Sequence, residues 1–573
     1  MAFQLSAGVS VSEIDLTTIV PAVGTTEGGF AGRFAWGPVD QVRTLSNELE
    51  LVETFGRPDS NTYISFFTAA NFLSYARALR IVRVVDATTA KNSTANGAGV
   101  LIKNKDVYEQ TYFGLTNSTY GIAAARYPGD MGNSLKVEIF ADLSSNFATW
   151  TYNQNFNGPP GTSDYVAGVA NANSNDEIHI VVIDKNGRFS GSSNSVLERY
   201  GYVSKAPDAI NDDGSSNYYV NVINERSKYI YIMAHPTFGA NNTVANNWGT
   251  AATSNTTITY QANLVYSVPL SNGVTSNVTS ANLIGGFDRF KNPEEIDVSL
   301  ILTGDVGANS TIASHIVDNI CEVRKDCIAF FSPRAIDVVN QAAGTEANNS
   351  ISFRNGFNSS SYAVMDSAWK YQFDKYNNVY RWVPLNGDIA GLCARTDFER
   401  DPWFSPAGFN RGSIKNAARL SWNPTKAERD LLYKNGINPV VTFPGEGIVL
   451  FGDKTLLAKP SAFDRINVRR LFIVLEKAIA RASRYSLFEF NDEFTRAQFV
   501  ALVEPFLRDV QGRRGIYDFR VVCDETNNTP EVIDRNEFVG DIYIKPARSV
   551  NFIQLNFVAV RTGVAFDEIV GKF

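Results

Sequence analysis

Residues 294–333, EEIDVSLILTGDVGANSTIASHIVDNICEVRKDCIAFFSP, contain the pattern that decides the fold class. The apolar run in EEIDVSLILTGD predicts a strand, residues 311–324 predict a helix, and DCIAFFSP predicts a second strand. A strand, a helix and a strand of this length usually form a right-handed unit in which the two strands are parallel. This segment therefore predicts an α/β fold.

Similar signals lie on both sides of this unit. Near the N-terminus, SFFTAANFLSYAR predicts a helix and LRIVRVV a strand, and a shorter helix with Ser46 as its N-cap follows the turn at Gly37-Pro38. Towards the C-terminus, residues 461–485 and 491–510 predict two long helices. GIYDFRVVCD and GDIYIKP then predict two strands, so the α/β character continues to the end of the chain.

The middle of the chain differs in composition from both flanks. Residues 91–285 are rich in Asn, Ser, Thr and Gly, and no Asp, Glu, Lys or Arg occurs between Pro236 and Phe287. Disorder is one explanation of such a composition. Strand-like runs such as KVEIF, IHIVVI and KYIYIMA favour the other, a β-rich inserted domain.

Composition narrows the functional classes. The chain has 573 residues, of which 44% are hydrophobic and 19% charged, with a formal net charge of −7. That charge argues against a general nucleic-acid binder, and no apolar run predicts membrane insertion. The N-terminus shows no secretory signal, and four scattered cysteines indicate a chain made in a reducing cytoplasm.

A search for catalytic and metal-binding motifs returns nothing specific. We find no phosphate-binding loop, dinucleotide fingerprint, nucleophile elbow or His-Glu-x-x-His. His179 lies in an alternating strand pattern, and the spacing of Cys321 and Cys327 fits a zinc site poorly. A pair of carboxylates brought together only by the fold would leave no such motif. We predict no catalytic residues, no cofactor and no metal, and hence a protein that is not an enzyme.

One pattern in the first long C-terminal helix points to a binding surface. Apolar residues at 468, 472, 475, 479 and 482 have the spacing of a buried helical seam. At about 100° per residue, the opposite face carries four cations: Arg470, Lys477, Arg481 and Arg484. This basic strip is either a solvated face or a docking surface for an acidic partner.

Several longer stretches resemble a known family. They are GVSVSEIDLTTIVPAVGTTEGGFAGRFAWGPVD, LVETFGRP, NFLSYARALRIVRVVD, KYQFDKYNNVYRWVPLNGDIAGLCARTD, SPAGFNRG, FDRINVRRLF and VVCDETNNTPEVIDRNEFVGDIYIKPARSVNFIQLNFVA. Together they resemble the tail sheath proteins of contractile-tailed, T-even-like bacteriophages. The resemblance covers the first ninety residues and most of the chain beyond residue 294, and is weakest in residues 91–285.

The resemblance implies a structural role in the virion tail. Sheath subunits of this family form stacked six-subunit rings around a tail tube, between baseplate and tail terminator or neck proteins. On triggering, the sheath shortens and drives the tube through the host envelope, without spending ATP. It also implies assembly in the host cytoplasm, and a tail tube protein as the acidic partner of the basic strip.

The resemblance further implies that both chain ends act as inter-subunit arms. A strand at a chain end can add to the sheet edge of a neighbour and satisfy the backbone groups of both partners. We expect the N-terminal arm to use Val9, Val11, Ile14 and Leu16, and the C-terminal arm Val564, Phe566 and Ile569. Residues 553–559 are expected to belong to the chain's own core sheet.

The predicted architecture is α/β (α+β) and multidomain. We expect an N-terminal arm (1–20), the N-terminal part of the core (21–90), a β-rich outer insertion (91–285), the main core (286–545) and a last core strand with the C-terminal arm (546–573). The alternatives are a sheath from a phage-derived injection device, a β-rich tail adhesin or glycan-binding protein, and a tail glycosidase.

Overall fold

The protein is seen in a computed structural model that describes residues 24–113, 118–142, 144–169, 175–236, 248–253, 260, 264–305 and 309–551. The predicted arm residues therefore lie outside the described ranges. The fold is a mixed α/β arrangement with several sheets.

The N-terminal part contributes three strands and two helices: β1 (Gly28–Gly32), β2 (Val42–Leu45), α1 (Glu48–Phe55), α2 (Tyr63–Leu73) and β3 (Leu79–Arg83). The predicted helix and strand are confirmed as α2 and β3. The predicted N-cap of α1 is wrong by one residue. The side chain of Asn47 accepts the backbone N–H of Glu50 at 2.9 Å, whereas Ser46 donates its hydroxyl to the Glu50 carboxylate at 2.7 Å.

The described residues of the middle segment form these α-helices and strands: α3 (Lys105–Thr111), β4 (Ala123–Ala125), β5 (Leu135–Ala141), α4 (Ser144–Phe147), α5 (Asp164–Ala167), β6 (Glu177–Asp184), β7 (Ser195–Ser204), α6 (Tyr219–Arg226), β8 (Ile230–Ile232) and β9 (Leu264–Pro269). The strands predicted in KVEIF, IHIVVI and KYIYIMA are confirmed as β5, β6 and β8. Four of the strands form an antiparallel sheet in the order β7-β6-β5-β9, and β4 pairs with β8.

The described residues of the central part form these α-helices and strands: α7 (Ser280–Phe287), β10 (Leu300–Leu302), α8 (Ser310–His315), α9 (Glu322–Arg324), β11 (Ile328–Phe331), α10 (Ala335–Val338), α11 (Glu346–Arg354), β12 (Ala363–Asp366), β13 (Trp369–Asp374), β14 (Val379–Pro384), α12 (Asn386–Glu399), β15 (Arg419–Leu420), α13 (Lys426–Lys434), β16 (Ile437–Asn438) and β17 (Val440–Phe443). A π-helical turn, Ile316–Cys321, joins α8 to α9. The helix predicted over residues 311–324 is thus confirmed.

The C-terminal part begins with β18 (Gly447–Leu450), which pairs with β17. It continues with two long helices and two strands separated by a short helix: α14 (Ile466–Ser483), α15 (Glu493–Gly512), β19 (Ile516–Val522), α16 (Pro530–Asp534) and β20 (Asp541–Pro546). Both predicted helices and both predicted strands are confirmed.

The core is built on a seven-stranded sheet in the order β16-β12-β11-β10-β1-β3-β2. β10 and β11 pair in parallel, as the opening stretch of sequence predicts, and only β2 runs antiparallel to its neighbour. β1 lies between β10 and β3, so the N-terminal and central parts share one sheet and one hydrophobic core.

Strand β1 needs glycine at the positions where its backbone lies close to neighbouring aromatic rings. A Cβ atom at Gly28 would lie 2.7 Å from the ring of Phe72, and one at Gly32 would lie 2.7 Å from the ring of Phe30. Both distances are shorter than packed carbon atoms allow. The glycines in GGFAG, which weaken a strand pattern in sequence, therefore let α2 pack tightly on the sheet.

The chain enters and leaves the middle segment side by side. Thr94 and Ser271 exchange both backbone hydrogen bonds, at 2.9 and 3.0 Å, and Lys91 pairs with Val274. The sheets β7-β6-β5-β9 and β4-β8 share a hydrophobic core that is separate from that of the seven-stranded sheet and that also includes Ala35 and Trp36 of the N-terminal part. The two ends of the middle segment thus lie side by side.

The middle segment also contacts the core. Trp36 packs edge-on against Tyr127 and Phe189, with ring centroids at 5.3 and 5.0 Å. The buried guanidinium of Arg83 donates to the carbonyl oxygen of Pro128 at 2.7 Å. By contrast, α7 packs into the main core, where a Cβ at Gly286 would lie 2.4 Å from Val84. The predicted boundary at residue 285 therefore falls inside α7, a helix that packs with the main core.

Candidate assembly surfaces

α14 is positioned by its apolar face. Leu471, Leu475 and Ile479 pack into a cluster with Phe499, Val503 and Leu507 of α15. The predicted seam is confirmed at residues 468, 475, 479 and 482, which are buried. Phe472 is half-buried and packs edge-on against Phe463, with ring centroids 4.8 Å apart.

The first predicted strip residue, Arg470, is not on the surface. Its side chain is 3% exposed and makes a two-pronged ion pair with Asp397 of α12, at 2.7 and 2.6 Å. Thr25 donates its hydroxyl to the same carboxylate at 2.6 Å. Burial raises the pKa of the Asp397 carboxyl, and the charge of Arg470 acts against that rise. Arg470 therefore links α14 to α12 and is not accessible to a partner protein.

Lys477 is also used within the chain. Its Nζ lies 2.6 Å from Asp297 Oδ1 and 2.8 Å from Ser299 Oγ, just before β10. Burial alone would raise the pKa of Asp297, but the hydrogen bond and charge of Lys477, with a smaller contribution from Arg481, lower it. The acidic partners of this face thus come from distant parts of the chain.

The remaining two strip residues are accessible. Arg481 is 46% exposed and contacts Asp297 Oδ2 at 3.3 Å. Arg484 is exposed, and it takes part in no ion pair within the described ranges. The four cations thus do not form a continuous strip, and only the C-terminal end of α14 offers charge to a partner.

An exposed aromatic loop follows directly and was missed in sequence. Residues 485–494 (YSLFEFNDEF) run from the end of α14 into the first turn of α15, and we call them the aromatic loop. Five large apolar side chains point to solvent in it: Tyr485, Leu487, Phe488, Phe490 and Phe494. Phe488 has a φ of +70°, which is rare for a bulky residue. The sequence signal for this loop is a dense run of apolar residues that does not follow the 3.6-residue period of a helix.

The pair β19–β20 is a small sheet with open sides. Its two strands pair antiparallel with each other and with no other strand in the described part of the chain. One face packs on α15 through Phe519, Ile542 and Ile544, while Tyr517 and Tyr543 point to solvent. Outer strand edges of this kind present backbone donors and acceptors to another strand.

A groove separates this C-terminal part from the core. It has a volume of about 780 Å³ and is lined by residues from several stretches of the chain, most of which lie within 403–411, 426–433, 451–453, 511–517 and 547–551. We call it the basic groove, because its lining contains more basic than acidic residues. The five basic residues are Arg411, Lys426, Arg429, Arg514 and Arg548, and the two acidic residues are Asp430 and Asp453. Phe404, Phe451 and Tyr517 supply its aromatic walls.

The end of the described chain is anchored beside this groove. Ser549 donates its hydroxyl to Asp453 Oδ2 at 2.7 Å, and the amide of Asn551 donates to the Tyr433 hydroxyl at 2.6 Å. The predicted core strand 553–559 and the arm residues Val564, Phe566 and Ile569 follow outside the described ranges, as Val9, Val11, Ile14 and Leu16 do at the other end.

His179, Cys321 and Cys327, which were considered above as possible metal ligands, lie packed inside the protein. His179 is buried in β6, with Nε2 2.9 Å from the Gly158 carbonyl oxygen and its ring stacked on Phe156 at 4.2 Å. Cys321 and Cys327 are buried with sulfur atoms 3.7 Å apart. No group of three or more His, Cys, Asp or Glu residues in the described ranges is arranged to hold a metal ion. Nor does any helix there have the length and apolarity to cross a membrane.

Comparison with known proteins identifies the family. Residues 276–456 match the phage tail sheath protein central domain, and residues 458–559 match the phage tail sheath C-terminal domain. The tail sheath protein of Vibrio phage KVP40 is 35% identical, over 99% of this chain and 100% of that protein. The tail sheath protein of Enterobacteria phage T4 is also 35% identical, over 99% of both chains.

Solved structures agree at the level of the fold. The sheath tail protein of Listeria innocua superimposes with a TM-score of 0.52 at 11% identity, over 93% of this chain and 97% of that one. The sheath tail protein of Desulfitobacterium hafniense gives a TM-score of 0.51 at 11% identity, over 94% and 100%. The full-length match to phage tail sheath proteins decides the matter: this chain belongs to the phage tail sheath protein family.

Proposed function

We propose that this protein is the polymerising subunit of a contractile sheath, without enzymatic activity. Six subunits per ring would stack helically around a tail tube, between baseplate and neck, after assembly in the host cytoplasm. Shortening of the sheath would drive the tube through the host envelope. The family membership and the open sheet β19–β20 support this proposal.

The open edges of β19 and β20 carry the assembly part of the proposal. Two isolated strands are marginally stable in water, and additional strands complete such a sheet. Each end of this chain supplies a predicted strand, at residues 9–16 and 564–570. A neighbour's arm added to β19 or β20 would satisfy backbone groups on both subunits. Strand pairing would then link subunits while the bodies rotate during contraction.

The inserted unit is proposed to lie on the outer surface of the sheath. The side-by-side entry and exit of the chain at Thr94 and Ser271 support an addition that the core does not need. Its separate hydrophobic core supports independent folding. Residues 236–287 carry no charged side chain, so they offer no charged surface to an acidic tube.

Electron microscopy of the purified protein tests the proposal most directly. In negative stain, a sheath subunit is expected to polymerise into striated tubes of uniform width, with six-fold symmetry in end views. Protein that stays monomeric up to high concentration, with or without tail tubes as a template, would contradict the proposal. An adhesin or a glycosidase would give discrete particles and bind or cleave glycans.

A further inference from the structure

We propose that the aromatic loop of one subunit inserts into the basic groove of a second copy. The inference rests on the proposed self-assembly and names the two surfaces that meet. The loop carries five exposed apolar side chains, and the groove has aromatic walls. The aromatic loop protrudes and the basic groove is concave, so the shapes of the two surfaces are complementary.

The charges of the two surfaces are complementary. The loop carries three exposed acids, Glu489, Asp492 and Glu493, and none of them forms an ion pair within the described part of the chain. The groove carries five cations against two acids. None of those five cations forms an ion pair with an acid in the described ranges either. Opposite charges of this kind favour one mutual orientation of two surfaces.

Geometry excludes this contact within one subunit. The loop lies at the N-terminal end of α15, whereas Gln511 and Arg514, at the other end of the helix, line the groove. A helix of 20 residues is about 30 Å long. The loop and groove of one chain are thus held apart by α15, and each needs a second molecule.

Placement at opposite ends of one helix also decides the type of assembly. A contact between two different patches is heterologous and generates rings or helical filaments, whereas a self-complementary patch generates a closed dimer. A loop-to-groove contact repeats from copy to copy. It therefore suits a protein that polymerises.

The backbone of the loop supports a role in binding. Phe488 is fully exposed and has a φ of +70°, which costs a bulky residue free energy. An exposed, strained phenylalanine contributes nothing to the stability of the isolated subunit. Both costs are offset when the ring enters a groove on another molecule.

Cysteine cross-linking tests the contact in the assembled protein. All four native cysteines are buried, so a chain with Phe488→Cys and Arg514→Cys carries two accessible thiols. Oxidised tubes of this variant are expected to give a ladder of covalent multimers on a non-reducing gel. A mixture of the two single variants should stop at dimers, because each chain then has one reactive surface. The matched control pairs Phe488→Cys with Leu49→Cys, whose side chain is exposed on α1, and should give no ladder.

Charge exchange provides an independent test. Glu489→Lys and Arg429→Glu should each raise the concentration needed for polymerisation roughly two- to fivefold, the range for exposed ion pairs. The two changes combined in one chain should restore most of the loss. Phe488→Ala with Phe490→Ala should raise that concentration about tenfold or more. The melting temperature of the unassembled subunit should stay the same in all of these variants.

Three outcomes would overturn the inference. Striated tubes without loop-to-groove cross-links would contradict it while leaving the proposed function intact. Cross-linking of Phe488→Cys to the tail tube protein instead of a second copy would assign the loop to another partner. Failure of the unmodified protein to form tubes would overturn both the inference and the proposed function.

Discussion

Lys370 Nζ lies 2.9 Å from Asp388 Oδ1 in the core, and both side chains are fully shielded from solvent. The hydroxyl of Tyr75 donates to the same oxygen at 3.1 Å, and Lys370 also donates to the carbonyl of Lys415 at 3.0 Å. Burial lowers the pKa of Lys370 and raises that of Asp388, and the attraction between them opposes both shifts. This pair joins β13, α12 and the end of α2.

Removing one partner of this pair should destabilise the core strongly. Lys370→Met leaves a buried carboxylate without its cation, and we expect the free energy of unfolding to fall by about 3–5 kcal/mol. Urea unfolding of the unassembled subunit measures the change. The control Lys375→Met removes an exposed pair with Glu48 and should cost about 0–1 kcal/mol. A Lys370→Met/Asp388→Leu chain as unstable as the single variant would contradict this explanation.

Acid should weaken the inserted unit through Asp184. Its carboxylate accepts hydrogen bonds from Ser134 Oγ at 2.6 Å and from the backbone N–H groups of Phe189 and Ser190 at 2.8 Å. Burial alone would raise the pKa of Asp184, but these hydrogen bonds together lower it. The resulting stability is present above the unfolded pKa of about 4 and is lost as the pH falls through the lower folded pKa.

Asp184→Asn is therefore expected to reduce stability by about 1.5–3 kcal/mol at neutral pH. The loss of stability between about pH 5 and 2 should be shallower than in the unmodified protein. Thermal melts across this range measure both effects, with Asp212→Asn, at an exposed position of the same segment, as the control. A variant with an unchanged acid profile would show that Asp184 does not control it.

Excision of the inserted unit should leave a core that still polymerises. Thr94 and Ser271 are a hydrogen-bonded antiparallel pair, so a two-residue Asn-Gly turn can replace residues 95–270. Trp36→Ser should accompany the excision, because Trp36 loses its aromatic partners. Electron microscopy should show narrower tubes with the same axial repeat. A folded core that forms no tubes would mean that the unit takes part in assembly.

The terminal arms should be needed for polymerisation and dispensable for folding. Deletion of residues 2–16 or 564–573 removes a strand that is expected to bury its backbone groups only in a neighbour. Each truncated protein should be a soluble monomer with an unchanged melting temperature. Sedimentation and microscopy provide the measurement, and long tubes from either truncated protein would contradict strand exchange by that arm.

The accessible end of α14 should contribute to tube attachment. Arg481→Glu with Arg484→Glu should impair assembly on tail tubes while leaving tube-free polymerisation intact, because the charges would repel an acidic tube. High salt should reproduce part of this loss. Lys477→Met is the contrasting variant: it should lower the stability of the subunit, since Lys477 is paired with Asp297. Normal sheathing by the double variant would make this end of the helix a solvated surface.

Local patterns predicted the elements of the core but not all of its pairings. The strand β1 was missed, since glycines at 28, 29 and 32 conceal a strand whose need for close packing comes from Phe72 of another element. Periodicity correctly placed α14 and its buried seam. It could not identify Asp397 or Asp297 as partners, because they are brought to the helix only by the tertiary fold.

The position of β1 sets the order in which the subunit can be made. Gly28 pairs with Leu300, about 270 residues later in the chain. At a synthesis rate of about 5–20 residues per second, β1 waits on the order of 10–50 s for β10 to leave the ribosome. The inserted unit, whose strands are all encoded between them, can fold during that interval. β1 therefore lacks one of its two neighbours in the sheet until the central part of the chain has been made.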